Sequence, residues 1–125
     1  MTITIADALR ALRPNDSFII RGEISYSNIE LADKSKTLPT EDELNAKVTE
    51  LTNAEPMKLL REERDRRIAK SDWRVIKAKE TSTNIPTTWK TYRQALRDLP
   101  STQTPVLDSN NPIGISSVTW PTEPT

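Results

Sequence analysis

Three carboxylates stand in a row at Glu41, Asp42 and Glu43, and carboxylate oxygens are what a hard cation takes as ligands. Their spacing matches no loop that wraps an ion. Thr40, three residues before Glu43, reads instead as a helix-capping box with negative charge in the first turn. The run Arg61 to Arg67 has the cations of a nucleic-acid surface, yet Glu62, Glu63 and Asp65 would sit among the phosphates. A solvated, salt-bridged face fits it better. With no histidine and no cysteine, the usual general base, the thiolate nucleophile and the Cys-based zinc site are all missing. A serine or threonine nucleophile would need lysine or an N-terminal amine as its base, and nothing places one. Gly22 and Gly114 are the only glycines, too few for a phosphate-cradling loop. The expectation is a protein that is no enzyme and needs no metal or cofactor.

The aromatic residues remain: three Trp, two Tyr and one Phe in 125 residues. Trp, Tyr and Arg are the types favoured in binding hot spots, which singles out Trp73, Trp89, Tyr92 and Trp120. Trp89, Tyr92, Leu96 and Leu99 share one helical face, with Arg93 and Arg97 flanking it. The plain alternative is that Trp73 packs on that face and closes a helical hairpin. Both readings hold together if a partner completes the hairpin.

The elements that must position these residues follow from pattern. Thr4 and Asp7 start a helix whose Ile5, Ala8, Leu9 and Leu12 share a face, and Pro14 ends it. A hairpin pairs about 17–21 with about 26–31, and two strands alone need a cover from the first helix or another chain. Leu44, Val48 and Leu51 follow the capping box as a narrow stripe, and Pro56 either kinks that helix or restarts it. A helix over about 56–71 leads to Trp73, then a connector from Arg74 to Lys79 and a loop from Glu80 to Asn84. A second helix starts near Pro86 and stops at Pro100. Residues 114–120 suit a short edge strand closed by Pro121.

Charge divides the chain. Residues 1–56 carry 6 basic and 10 acidic side chains, residues 57–98 carry 12 and 6, and residues 99–125 carry none and 2. Five of the nine prolines fall in the last 26 residues, so this tail should be extended, paired at an edge, or mobile. Apolar residues are only 34% of the chain, so the core is thin and some surface relies on a partner. No stretch approaches a membrane span, and Met1-Thr2-Ile3-Thr4 has no signal-peptide character. The fold class is α+β. Its parts are a helix plus hairpin over 1–38, a helical arm and helical hairpin over 39–100, and an extended tail over 101–125.

Two segments carry a family resemblance. Leu59-Leu60-Arg61-Glu62-Glu63-Arg64-Asp65-Arg66-Arg67-Ile68-Ala69-Lys70-Ser71-Asp72-Trp73 is an Arg-rich run ending in Asp-Trp. Trp89-Lys90-Thr91-Tyr92-Arg93-Gln94-Ala95-Leu96-Arg97-Asp98-Leu99-Pro100 is a Trp-x-x-Tyr-Arg-x-x-Leu-Arg-Asp-x-Pro helix. Together they resemble the phage tail assembly chaperone family, whose module also carries a trailing Trp-Pro, here Trp120-Pro121. The front, Thr4 to Asn53, is similar to short proteins encoded beside tail or fibre genes in marine phages. The loop from Arg74 to Ile85 is longer and more basic than the family's usual short, proline-rich one.

The resemblance implies a non-enzymatic phage tail protein in the virion or, during assembly, in the host cytoplasm. Its partner would be a tail-fibre or baseplate protein, met as a transient chaperone or as a resident structural component. Trp73, Trp89, Tyr92, Arg93, Leu96 and Arg97 are the candidate contact residues, and a homo-oligomer is compatible with the thin core. The competing reading is a small nucleic-acid-binding protein using the basic 57–98 segment.

Overall fold

A computed structural model describes residues 2–125. The fold is α+β and divides into two compact units, Met1–Ala54 and Glu55–Thr125. In the first unit α1 (Ile5–Leu12) opens on Asp7, whose carboxylate accepts from the Thr4 backbone N–H at 2.9 Å and the Thr4 hydroxyl at 3.2 Å. Strands β1 (Phe18–Ile20) and β2 (Ile29–Leu31) pair antiparallel, with Phe18 opposite Leu31. The pairing is shorter than expected because Tyr26–Asn28 form a 3₁₀ turn.

Helix α2 (Glu41–Glu80) starts on the expected box: the Glu43 N–H donates to Thr40 Oγ1, and the Thr40 N–H donates to Glu43 Oε2, both at 3.1 Å. The acidic trio therefore serves the helix end. Leu44 joins Ala8 and Leu9 in an aliphatic core ringed by Ile5, Phe18, Tyr26, Ile29, Leu38 and Val48. Leu12, expected on the same face, stays exposed.

Two prolines do not act as stops. Pro56 stands inside α2, and Pro100 inside α3 (Thr87–Thr102). A proline within a helix forfeits one ladder bond, at a cost of roughly 3 kcal/mol. Burial next to the break offsets it: Leu60 follows Pro56, while Leu96 and Leu99 precede Pro100, and all three are buried. The expected connector Arg74 to Lys79 is helical as well. Its lysines carry no helix-breaking residue among them, and α2 ends only at a turn where Ser82 takes φ 54°. There the Thr83 N–H donates to the Ala78 carbonyl at 2.9 Å, satisfying a carbonyl of the last turn.

The tail is a second hairpin rather than an extended arm. Strand β3 (Val106–Leu107) pairs antiparallel with β4 (Ile115–Ser116), so the strand expected over 114–120 is confined to two residues. Gly114 takes φ +84°, a conformation that favours glycine, and a Cβ there would lie 3.2 Å from Leu59 Cδ1, which would have to give by a few tenths of an ångström. Ile115 is buried against Leu60 and Leu99, with Met57, Leu59, Ile113, Val118 and Trp120 around them.

Candidate functional site

The candidate residues all lie in the second unit, where the C-terminal part of α2 packs on α3. Spacing put Trp89, Tyr92, Leu96 and Leu99 on one face of α3, and all four are buried. The Trp89 and Tyr92 rings meet edge to face at 5.7 Å and 88°, the arrangement their quadrupoles favour. Ile68, Ile85 and Trp120 close the cluster around them and Leu96. Burial pushes the Tyr92 hydroxyl above its usual range.

Arg93 reaches across to α2. Its Nη1 donates to the Ile68 carbonyl at 3.1 Å and to Ser71 Oγ at 2.5 Å, and pairs with Asp72 at 2.9 Å. The side chain is only 12% exposed, so Arg93 is a clamp between the helices. Arg97 is exposed and donates to Gln94 Oε1 at 3.0 Å. Asp65 pairs with Arg64.

Trp73 stands apart. Because α2 continues past it to Glu80, it is not at the turn beside Trp89, and it is 51% exposed. The link between the two indoles is Arg74, whose guanidinium lies 3.7 Å from the Trp89 ring centre and 4.5 Å from that of Trp73. Arg67 lies in the same way over Trp120, at 4.1 Å.

Arg74, Arg67, Glu63 and Ser71 are not singled out by the sequence as parts of this site, and Trp120, one of the aromatic set, joins it under Arg67. Four of them belong to one face of α2, Leu60, Glu63, Arg67, Ser71, Arg74 and Ala78, at steps of three and four. The periodicity is helical but its members are mostly polar, so a search for apolar stripes passes over it. Glu63, expected on the solvated face, is buried and accepts from Arg66 Nη2 at 2.6 Å and Arg67 Nε at 3.0 Å. The Arg66 hydrogen bonds, against the opposing effect of burial, hold its carboxyl well below the usual 4.5, at about 2. Among the described residues no group of three or more carboxylates gathers to hold a metal ion.

Residues 57–125 match the family described as phage tail assembly chaperone protein. The chain belongs to this family. No curated protein and no solved structure matches it. The matched span nearly coincides with the second compact unit, Glu55–Thr125, so the family module here includes the tail hairpin and Trp120 as well as the two helices. Membership ties the chain to phage tail assembly, which implies a non-catalytic role and fits a place in the virion or in the host cytoplasm while tails are built. No helix among the described residues is long and apolar enough to cross a membrane.

Proposed function

We propose that this tail assembly chaperone acts by docking a tail-fibre or baseplate protein on its unit Glu55–Thr125. The observation that carries the reading is Trp73, a tryptophan left half exposed in a chain with few aromatics, standing on the unit that matches the family. Trp73 and Arg97 touch the partner in this reading. Trp89, Tyr92 and Leu96 form the base beneath them, and Arg93 fixes the angle at which the base is presented.

The test is co-expression of the full chain with the fibre and baseplate proteins of its own phage, followed by purification at raised salt. One of those proteins should co-purify, and Trp73→Ala should release it while leaving the melting temperature unchanged. Steeply salt-sensitive DNA binding with no co-purifying tail protein would overturn the proposal in favour of a nucleic-acid surface. Mass spectrometry of purified particles then separates a transient chaperone from a resident virion component.

A further inference from the structure

Before Trp73 four cations of the second unit have a carboxylate within ion-pair distance: Arg64 has Asp65, Arg66 and Arg67 have Glu63, and Lys70 has Glu123, while Lys58 and Arg61 have none among the described residues. Past Trp73 acids become scarcer. Between Arg74 and Arg97 there are six cations and a single acid, Glu80. Of the six only Arg93 is paired, through Asp72; Arg74, Lys77, Lys79, Lys90 and Arg97 have no acidic partner among the described residues.

Two of these unpaired cations sit at the exposed indole. Lys77 Nζ is 5.9 Å from the centre of the Trp73 ring, and Arg74 is held over the same ring at 4.5 Å. Stacking on Trp89 pins the Arg74 guanidinium, and its Nε is buried without a hydrogen-bond partner. A hollow of about 210 Å³ opens here, lined by Trp73, Arg74, Lys77, Asn84 and Pro86. Ile76, 58% exposed and three residues from Trp73, adds apolar area on the neighbouring surface. A larger hollow of about 740 Å³, against the same two helices, carries Lys90 and Arg97 beside Val75 and Ile85, with Asp98 as the acid on its wall.

From this arrangement we infer that the docked partner presents an acidic segment with an aromatic or aliphatic side chain between its carboxylates. The inference rests on the docking function proposed above and names the chemistry of the partner. The apolar side chain would lie against Trp73 and Ile76, and the carboxylates would meet Lys77 and the edge of Arg74. A guanidinium already fixed by two indoles loses little freedom on taking a carboxylate, which favours a planar, oriented contact. A single strand could set a base on the indole and its phosphates on the cations, but it would leave Ile76 without aliphatic cover, which a protein segment supplies.

The experiment displays random peptides of about twelve residues, a length that spans a surface of this kind, and selects them on the full chain. Trp73→Ala and Lys77→Glu chains serve as counter-selections, with melting curves confirming that both remain folded. Selected peptides should carry Asp or Glu on either side of Trp, Phe, Leu or Ile. They should lose about tenfold or more in affinity on each variant, the loss expected of a central contact. Neutral or basic selections, or equal binding to Trp73→Ala, would overturn the inference. So would tighter binding of single-stranded oligo-dT than of any selected peptide. If a tail protein still co-purifies through Trp73 while the selections lack acids, the acidic-partner inference falls and the docking function stands. If no tail protein co-purifies, both fall.

Discussion

Helices α2 and α3 meet along one seam in the second unit, and they bring opposite materials to it. The α3 side is Trp89, Tyr92, Leu96 and Leu99, a continuous apolar stripe. The α2 side is Leu60, Glu63, Arg67, Ser71, Arg74 and Ala78, of which two are apolar. Planar guanidinium groups over indoles at 3.7 and 4.1 Å, and a carboxylate taken by two arginines, fill the positions where aliphatic side chains would be expected. A chain short of apolar residues has thus enlarged its core with the flat faces and long stems of its arginines, whose charged edges remain near solvent. The apolar face supplies the energy of the seam, and the polar face supplies its geometry.

The largest effect should come from the apolar side. Trp89→Ala removes a buried ring from the cluster and the surface on which Arg74 stacks, at a cost of about 3–5 kcal/mol. That is a large share of the total stability of a small protein, roughly 5–15 kcal/mol. Chemical denaturation should show the midpoint collapsing; a Trp89→Ala chain that unfolds like wild type would mean that α3 is not the main support.

Next comes the buried carboxylate. Glu63 titrates at about 2 in the folded protein against 4.5 when unperturbed. A depressed folded pKa contributes stability that is complete above the unfolded value and is lost as pH falls from about 4.5 towards 2. The contribution is on the order of 2 kcal/mol, reduced from the full linkage value because Arg66 is largely in water. Glu63→Gln should flatten the acid limb of a stability-against-pH curve. An unchanged limb would assign acid sensitivity to other groups.

A smaller effect separates packing from charge on the α2 side. Arg74→Met keeps a long stem over Trp89 and discards the guanidinium, so the loss should be about 0.5–2 kcal/mol, the range of a cation–π contact. If Arg74→Met is as damaging as Arg74→Ala, the plane of the guanidinium matters more than the volume it fills. The smallest effect belongs to the exposed face: Glu62→Ala should change the unfolding free energy by only a few tenths of a kcal/mol, as an outward charge without a buried partner does.

The same contrast explains what could be read in advance. The α3 stripe, the capping box at Thr40 and Glu43, and the first hairpin were legible because apolar spacing and turn chemistry act locally. The family motif was legible in the residues of 59–100. Proline marked the end of α1 before Pro14 and the start of α3 at Pro86, but Pro56 and Pro100 are carried inside helices whose flanking leucines are buried, a tertiary effect that no local rule contains. The tail was obscured because its fold depends on Gly114 approaching Leu59 and on Ile115 entering a cluster with Leu60 and Leu99, contacts distant in sequence. Of the candidate contact residues, spacing placed Trp89, Tyr92 and Leu96 on one face of α3, and that face is buried. Spacing did not separate those that build the seam, Trp89, Tyr92, Leu96 and Arg93, from Trp73 and Arg97, which face solvent.

The three tryptophans occupy three different surroundings, and this makes the protein optically self-labelled. Trp89 is 4% exposed, Trp120 is partly covered beneath Arg67, and Trp73 is 51% exposed between Arg74 and Lys77. Iodide, drawn by the two cations, should quench the red-edge emission of Trp73 far more than caesium does, and leave the blue emission of Trp89 almost untouched. A bound segment over Trp73 would abolish that difference between the ions without moving the blue component, whereas unfolding would move every component to the red. One cuvette can therefore tell occupancy from denaturation with no added dye.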